Sequence, residues 1–561
     1  MNEGMPLRTG GRILVDQLKV HGVDTAFCVP GESYLAVMDA LYDERKTIRL
    51  IVCRQEGGAA FMAEAYGKLT GRPGICMVTR GPGATNASIG VHTAFQDSTP
   101  MILLVGQVGG DIVEREAFQE MDYRRMYGQM TKWVAQIDRA ERIPEYLSHA
   151  FHLAVSGRPG PVVLALPEDM LAQEVVTGDA RPYRRIKAHP GVTDLESLRA
   201  MLMKSLRPLV ILGGGDWSEG ACRDVAAFVQ ANNLPVTCSF RRQDLFDNRH
   251  SNYCGDVGIG INPLLADTVR NADLIVAIGA RLGEMTSGGY SLFRIPHSNQ
   301  KLVHVHPGGE ELGRVYQADL MINSGMREFA QALAGSPRVD ASAWRDWTQQ
   351  ARQNYLKNLE HGAMPGQLDM GEIVAFLRRR LPANAILSNG AGNYSGWVQR
   401  FYQYTGFRTQ LAPTNGAMGY GVPSGVAAKL VHPERTVVSF SGDGCFLMNG
   451  QELATAVQYK LAVIFIVVNN GMYGTIRMHQ EREFPARVHA TSLVNPDFVA
   501  LAAAYGLHGE LVEKTSDFVP AFERALAAGK PALLELRIDP EAISTRTTLS
   551  AIRAQAIAAG R

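Results

Sequence analysis

Short apolar runs rich in β-branched residues punctuate this chain, and between them apolar side chains recur at helical spacing. The runs Thr25–Val29, Ile75–Thr79, Met101–Val105 and Val162–Leu166 fall in a first block, from about Gly10 to Pro167. Leu209–Leu212, Leu274–Gly279 and Leu302–Val305 fall in a second, starting near Thr193, and Val437–Phe440 and Leu461–Val468 in a third, from about Asp369 to Pro540. Continuous apolar runs of this length suit strands covered on both faces, and their alternation with helices predicts parallel sheets. The expected fold class is α/β, with three doubly wound parallel-sheet domains at 1–176, 190–335 and 366–545. Thr177–Pro190, polar and basic with two prolines, reads as a linker. Ala334–Gln367 is charged and Gln-rich with little apolar periodicity, and is expected to cross between domains. The Ala- and Arg-rich tail to Arg561 reads as a short surface helix, and no repeat with a solenoid period is present.

A chain of 561 residues is too long for one core, so several domains are natural. A formal net charge of +1 gives no electrostatic case for nucleic acid or an anionic membrane. No long uninterrupted apolar window argues for a membrane span, and Met1–Leu18 lacks a basic start followed by an apolar run. The seven cysteines are scattered without a CxxC pair, as expected of reduced thiols in a cytoplasmic protein.

The densest chemistry lies between Val437 and Gly474. An apolar strand ends in Gly442-Asp443-Gly444, a helical segment follows with Leu447, Leu453, Ala454 and Val457 along one side, and a second apolar strand ends in Asn469-Asn470. In a parallel βαβ unit both strands finish on the same edge, where open α/β sheets bind ligands. Asp443 and Asn470 are therefore expected side by side, offering oxygen ligands, while the glycines admit a large anion close to the backbone. One carboxylate, one amide oxygen and one backbone carbonyl suit Mg²⁺ that shares its shell with a diphosphate.

The ordered set of strand, Gly442-Asp443-Gly444, helix, strand and Asn469-Asn470 resembles the thiamine-diphosphate motif of the acetohydroxyacid (acetolactate) synthase, pyruvate oxidase and benzoylformate decarboxylase superfamily. The resemblance spans about Gly10 to Pro540. It implies a pyrimidine-binding first domain, a middle domain and a diphosphate- and Mg-binding third domain. It also implies thiamine diphosphate and Mg²⁺ as cofactors. Asp443, Asn470 and the carbonyl of Met472 would hold the metal, and Gly442, Asp443, Gly444 and Cys445 would meet the diphosphate. Arg54–Gly67 resembles the family segment whose first glutamate, here Glu56, faces the aminopyrimidine, promotes its imino tautomer and so allows removal of the thiazolium C2 proton. Apolar neighbours are expected to raise the Glu56 pKa, and Glu64 reads as a structural charge. Thr79–Asn86 resembles the glycine-proline-glycine loop beside the active site, which brings in Asn86. Asn415–Gly421 resembles the loop that seats the pyrimidine, with the Gly416 carbonyl as acceptor and Met418 as the wedge that bends the cofactor. Asn393 and Tyr394 sit where relatives place a loop against the diphosphate. The Gly213-Gly214-Gly215 turn is read as structural.

Glu116–Glu120 resembles the FQE pattern of acetohydroxyacid synthases and makes Gln119 the candidate for a polar group touching substrate. Glu32 either faces substrate or caps the helix after it. The decarboxylase features of an adjacent His pair and a glutamate soon after the NN motif are missing; Thr475-Ile476-Arg477 stands there instead. The expected reaction is thus decarboxylation of a 2-oxo acid followed by carboligation to a second carbonyl compound. The alternatives are a non-oxidative decarboxylase or C–C lyase releasing an aldehyde, and a flavin-dependent enzyme of the pyruvate oxidase type. His479 stands where anabolic synthases carry a selecting tryptophan; Arg477 and His479 either meet an acidic or polar substrate or face solvent on a lid. FAD is left open: Gly157–Val162 resembles the synthase segment whose arginine, here Arg158, contacts FAD, and non-flavin relatives share it. The resemblance further implies a homodimer as minimal active unit, paired into a homotetramer.

Overall fold

The computed structural model describes residues 6–560; the first residues of the segment read for a signal, and Arg561, lie outside the described residues. By contacts the chain divides into two compact units, 1–186 with 426–431, and 187–425 with 432–561. Three six-stranded parallel sheets are distributed between them.

In the first unit the strands are β1 Thr25–Cys28, β2 Arg49–Val52, β3 Gly74–Val78, β4 Met101–Gln107, β5 Trp133–Gln136 and β6 Pro161–Pro167. Their order across the sheet is β2-β1-β3-β4-β6-β5. Ile75, Ile102 and Val162 stand in register on adjacent strands and are fully buried, which is what continuous apolar runs predict for a sheet covered on both faces. Two helices matter for the site: α1, Glu56–Thr70, follows the edge strand β2, and α2, Pro82–Asp97, follows the central strand β3. They approach so closely that a Cβ at Gly90 would lie 2.4 Å from the Ala60 Cβ, so only glycine fits.

The second unit carries two sheets. The first is built from β7 Pro208–Leu212, β8 Val236–Cys238, β9 Tyr253–Asp256, β10 Leu274–Ile278, β11 Lys301–His306 and β12 Leu320–Asn323, in the order β9-β8-β7-β10-β11-β12. Val210, Val276 and Val303 pack into one core, and Leu209, Ile211 and Ile275 into another, so alternate residues feed opposite faces. Gly214 sits at φ +69°, and a Cβ there would lie 1.9 Å from the Gly279 carbonyl oxygen. The triple glycine is a close backbone approach.

The segment expected to cross between domains does something else. Within Ala334–Gln367 lies α3, Arg345–Asn358, which belongs to the middle core. Trp344, Ala351 and Tyr355 are buried at helical spacing. The indole N–H groups of Trp344 and Trp347 donate to backbone carbonyls of Asn232 and Pro208. Two tryptophans with satisfied N–H groups give a charged helix enough buried surface to dock.

The last sheet comprises β13 Ile386–Asn389, β14 Gln410–Leu411, β15 Val437–Gly442, β16 Ile464–Asn469, β17 His508–Val512 and β18 Ala532–Arg537, ordered β14-β13-β15-β16-β18-β17. Gly442 pairs with Val468 and Asn469 with Arg537, so β15 and β16 end together. The helix α4, Ser395–Phe401, follows β13. The single amphipathic helix expected after Gly444 is broken. α5 covers only Asp443–Phe446, a 3₁₀ turn spans Gly450–Glu452, and α6 covers Leu453–Gln458. Leu453 is buried but Leu447 is 45% exposed, so the predicted apolar side is not continuous. Beyond β16 come α7, Gly474–Glu483, and the tail helix α8, Leu549–Ala558, which pack against each other. Among the described residues no helix is long and apolar enough to cross a membrane.

Candidate active-site residues

Glu56 opens α1 at the end of β2. The side chain of Gln55 caps that helix by accepting from Gly58 N at 3.1 Å, which sets Glu56 in the first turn. Its Oε2 accepts from Asn86 Nδ2 at 2.9 Å, so Asn86 of α2 orients the carboxylate. Glu56 is half-buried, not enclosed by its own chain as its apolar neighbours suggested. Glu64 is fully buried and pairs with Thr99 and Lys68, a structural charge.

The glycine-proline-glycine loop leads into α2. Gly81 sits at φ +53° and a Cβ there would meet the Gln119 carbonyl oxygen at 2.8 Å. The Arg80 guanidinium donates to the Phe118 carbonyl and pairs with Glu168. Gln119 is therefore drawn onto this loop. It lies in a turn at φ +65°, and its Oε1 is buried without a hydrogen-bond partner. Glu32 is exposed at the start of a 3₁₀ turn, makes no capping bond, and its carboxylate does not join these groups.

Arg158 packs against its own chain. The side chain is buried, its Nε donates to Ser98 Oγ at 3.0 Å, and the guanidinium also bonds the Phe95 carbonyl and stacks 4.8 Å above the Phe95 ring. It closes the C-terminal end of α2, where unpaired carbonyls and the helix dipole favour a cation.

In the second unit Gly442, Asp443, Gly444, Cys445, Asn470, Met472, Asn393, Tyr394, Gly416 and Met418 line one cavity of about 240 Å³. Asp443 is 3% exposed. Its Oδ1 accepts from Gly444 N at 2.9 Å, and its Oδ2 from Gly471 N at 2.9 Å and Asn495 Nδ2 at 2.8 Å. Burial pushes its pKa up, opposed by these N–H donors. All its hydrogen bonds come from neutral groups, and among the described residues it forms no ion pair. A buried carboxylate without a countercharge, in a cavity that Asn470 also lines, fits a hard divalent ion. Among the described residues no cluster of three His, Cys, Asp or Glu forms a metal site, consistent with a donor set that has a single carboxylate.

Asn470 Oδ1 accepts from Met472 N at 3.3 Å, which turns the chain sharply after β16. Tyr394 lies under the glycine loop: its hydroxyl bonds Cys445 Sγ at 3.4 Å, and a Cβ at Gly442 would meet its ring at 2.9 Å. Gly419 N donates to the same sulfur at 3.2 Å, which ties the Met418 loop to the Asp443 loop. Met418 is half-buried against the core. Asn393 is spent on the wall, with its Nδ2 on the Ile543 carbonyl and its Oδ1 accepting from Thr475 Oγ1 at 3.0 Å.

Three family descriptions cover the chain in order. They are the N-terminal TPP binding domain of thiamine pyrophosphate enzymes at 8–126, the central domain at 195–333, and the C-terminal TPP binding domain at 390–536. The acetolactate synthase isozyme 2 large subunit of Escherichia coli is 30% identical over 536 residues, covering 94% of this chain and 95% of that protein. The acetolactate synthase large subunit of Corynebacterium glutamicum is 30% identical over 553 residues, covering 95% and 87%. The chain belongs to the thiamine pyrophosphate enzymes. Within them it is a thiamine-diphosphate-dependent, acetolactate synthase-like enzyme.

Two parts of this thiamine pyrophosphate enzyme were not read from sequence. Asn495 bonds both Asp443 and Asn469 from a loop beyond α7. Its polar Val-Asn-Pro-Asp context gives no spacing signal that ties it to Asp443. Glu481 on α7 is fully buried and is bonded by Arg477 and by both Nε and NH2 of Arg553 from α8. These cations hold its carboxyl down to about 2. Arg477 is therefore engaged by Glu481, whereas His479 is exposed.

Proposed function

We propose that this enzyme decarboxylates a 2-oxo acid and joins the acyl fragment to a second carbonyl compound. The observation that carries the reading is Asp443, a buried carboxylate without a countercharge that shares a cavity with Asn470, Met472, Gly416 and Met418. In that cavity Asp443, Asn470 and the Met472 carbonyl would hold Mg²⁺, with Gly442, Gly444 and Cys445 against the diphosphate. When bound, thiamine diphosphate supplies the carbon that adds to the 2-oxo acid and stabilises the carbanion left by loss of CO₂. Met418, fixed through Gly419 and Cys445, would shape the bound cofactor, and the Gly416 carbonyl would accept from its amino group. Glu56, oriented by Asn86, would exchange a proton with the pyrimidine nitrogen. Gln119 would offer its unpartnered amide oxygen to a donor on the acceptor substrate.

The active unit in this reading is a homodimer, two of which form a homotetramer, as the family resemblance implies. A cytoplasmic location is supported by seven free cysteines, six of them buried. FAD is not part of the proposal. The test is purified enzyme with thiamine diphosphate, Mg²⁺ and a panel of 2-oxo acids and carbonyl acceptors, followed for CO₂, aldehyde and ligated product. Ligated product in excess of aldehyde is expected. Aldehyde alone across the panel would make the enzyme a simple decarboxylase.

A further inference from the structure

A second cavity, of about 940 Å³, adjoins the cofactor cavity, and the two share Gly392, Asn393, Gly416 and Thr475 as a common wall. Cavities of about 300–1,000 Å³ take organic molecules of drug size, so this one is far larger than a three-carbon acid needs. Its charged side chains are already engaged. The Arg241 guanidinium reaches the Pro413 carbonyl and Ser395 Oγ, Arg546 donates to Asn358 Oδ1 at 2.9 Å, and Arg482 and Glu483 also have partners. Between them the wall offers hydrocarbon. Phe240 and Ile259 come from the loops after β8 and β9, Met478 from α7, and Ile552 and Ala556 stand one turn apart on α8.

Gly396, in the first turn of α4, shows that this space is kept open. Glycine is the poorest helix former after proline, and its use is explained where the backbone is left-handed or a neighbour crowds the site. Neither holds here. The residue lies inside the helix Ser395–Phe401, and a Cβ on it would meet only Thr545 Cγ2, at 3.8 Å, an ordinary contact. A side chain longer than alanine would take up room in the cavity that Gly396 lines. At Gly416, which lines both cavities, an added Cβ would meet nothing within 4 Å. The way from the cofactor cavity into the second one is thus bordered by bare backbone. A small acid would leave that space to water, whereas a larger apolar group gains from leaving water for it. One methylene in such a pocket changes kcat/KM by about 10- to 200-fold.

We propose that this cavity receives a bulky hydrocarbon body, aromatic or branched, carried by the substrate whose carbonyl reacts over the cofactor, and that Gly396 sets the room for it. The inference rests on the reaction proposed above and narrows its substrates. Either the 2-oxo acid or the carbonyl acceptor is larger than three carbons.

The test compares thiamine-diphosphate-loaded wild type with Gly396→Leu and, separately, with Ala559→Trp, which adds bulk from an exposed position at the end of α8 that lines the same cavity. Wild type should favour 2-oxo-4-phenylbutanoate over pyruvate as donor, or benzaldehyde over acetaldehyde as acceptor, by about tenfold or more in kcat/KM. The raised ratio assigns the body to donor or acceptor. The variants should lower that ratio by about tenfold or more. Calorimetry with 4-phenylbutanoate and propanoate, which carry no reactive carbonyl, should show the same preference and the same loss. Wild type without preference in either ratio, or ratios unchanged in both variants, would overturn the proposal. If no 2-oxo acid releases CO₂, the reaction reading fails and calorimetry decides the cavity by itself. Tighter binding of 4-phenylbutanoate that the variants weaken then upholds it, and equal binding of the two probes, or binding that both variants leave unchanged, overturns it.

Discussion

The side-chain amide of Asn495 donates to Asp443 Oδ2 at 2.8 Å and, through the same nitrogen, to Asn469 Oδ1 at 2.9 Å. Asp443 directly follows β15 and Asn469 ends β16, so Asn495 ties the two strand ends together. Partners that orient a ligand carboxylate typically contribute 10- to 100-fold in metal affinity. Asn495→Ala should therefore raise the apparent dissociation constant for Mg²⁺ by roughly tenfold or more while the protein stays folded. Activation titrated against Mg²⁺ at saturating thiamine diphosphate reads this directly. An unchanged midpoint would make Asn495 a bystander. Asp443→Ala removes the charge itself and should abolish cofactor retention, which calorimetry would report.

The buried Glu481 makes the attachment of the tail helix pH-dependent. Its carboxyl is held down to about 2 chiefly by the hydrogen bond from Arg553, from an ordinary value of 4.5. A depressed acid contributes stability that is fully present above about pH 4.5 and lost as the pH falls toward 2. The contribution is on the order of 3 kcal/mol for a shift of this size. Hydrogen exchange should find the amides of α8 protected at neutral pH and progressively released below pH 4.5. Glu481→Gln should release them at every pH. Equal protection of α8 in the variant would show that Ile552 and Leu549 alone hold it.

Among the described residues the Glu56 carboxylate accepts a side-chain hydrogen bond from Asn86. Glu56→Gln preserves shape but cannot exchange a proton with the pyrimidine. Cofactor binding should survive while hydrogen–deuterium exchange at the thiazolium C2 slows on the order of 10²-fold or more. Quenched-flow NMR on the loaded variant measures this. An unchanged rate would move the proton-transfer group elsewhere.

What the sequence made legible depended on whether neighbours in space were also neighbours in pattern. β15 and β16 announce themselves as buried β-branched runs, and the groups at their ends follow from parallel register, so Asp443 and Asn470 line one cavity as expected. Asn495 lies 52 residues from Asp443 and joins it only through tertiary structure. Arg158 resembles a ligand-binding arginine, but nothing in a linear motif reveals that it also bonds Ser98 and Phe95. α3 was hidden by its polar majority, since its docking rests on Trp344, Ala351 and Tyr355. The break after Phe446 was hidden because apolar spacing alone cannot show that Leu447–Asn449 leave the helix in a turn that exposes Leu447. For Asn495, Arg158 and α3 the missing term was a tertiary contact of a particular side chain.

Gln119 carries the last prediction, because its position is sustained at a cost. It sits at φ +65°, its backbone packs against Gly81 so closely that no side chain fits there, and its Oε1 is buried without a partner. An amide oxygen left unsatisfied in a protein interior loses on the order of 1–3 kcal/mol, which a bound donor would return. If the acceptor substrate supplies that donor, Gln119 acts after CO₂ has left and before the new carbon–carbon bond is complete. Gln119→Ala should then reduce ligated product several-fold more than CO₂ release, with aldehyde appearing as the fragment escapes. Gln119→Glu replaces the amide by an acceptor of the same shape and should retain more ligation than the alanine variant. Measuring CO₂, aldehyde and ligated product in one reaction mixture gives the partition for each protein. Parallel loss of CO₂ and ligated product in Gln119→Ala would assign the residue to the loop's structure or to the donor, not to the acceptor.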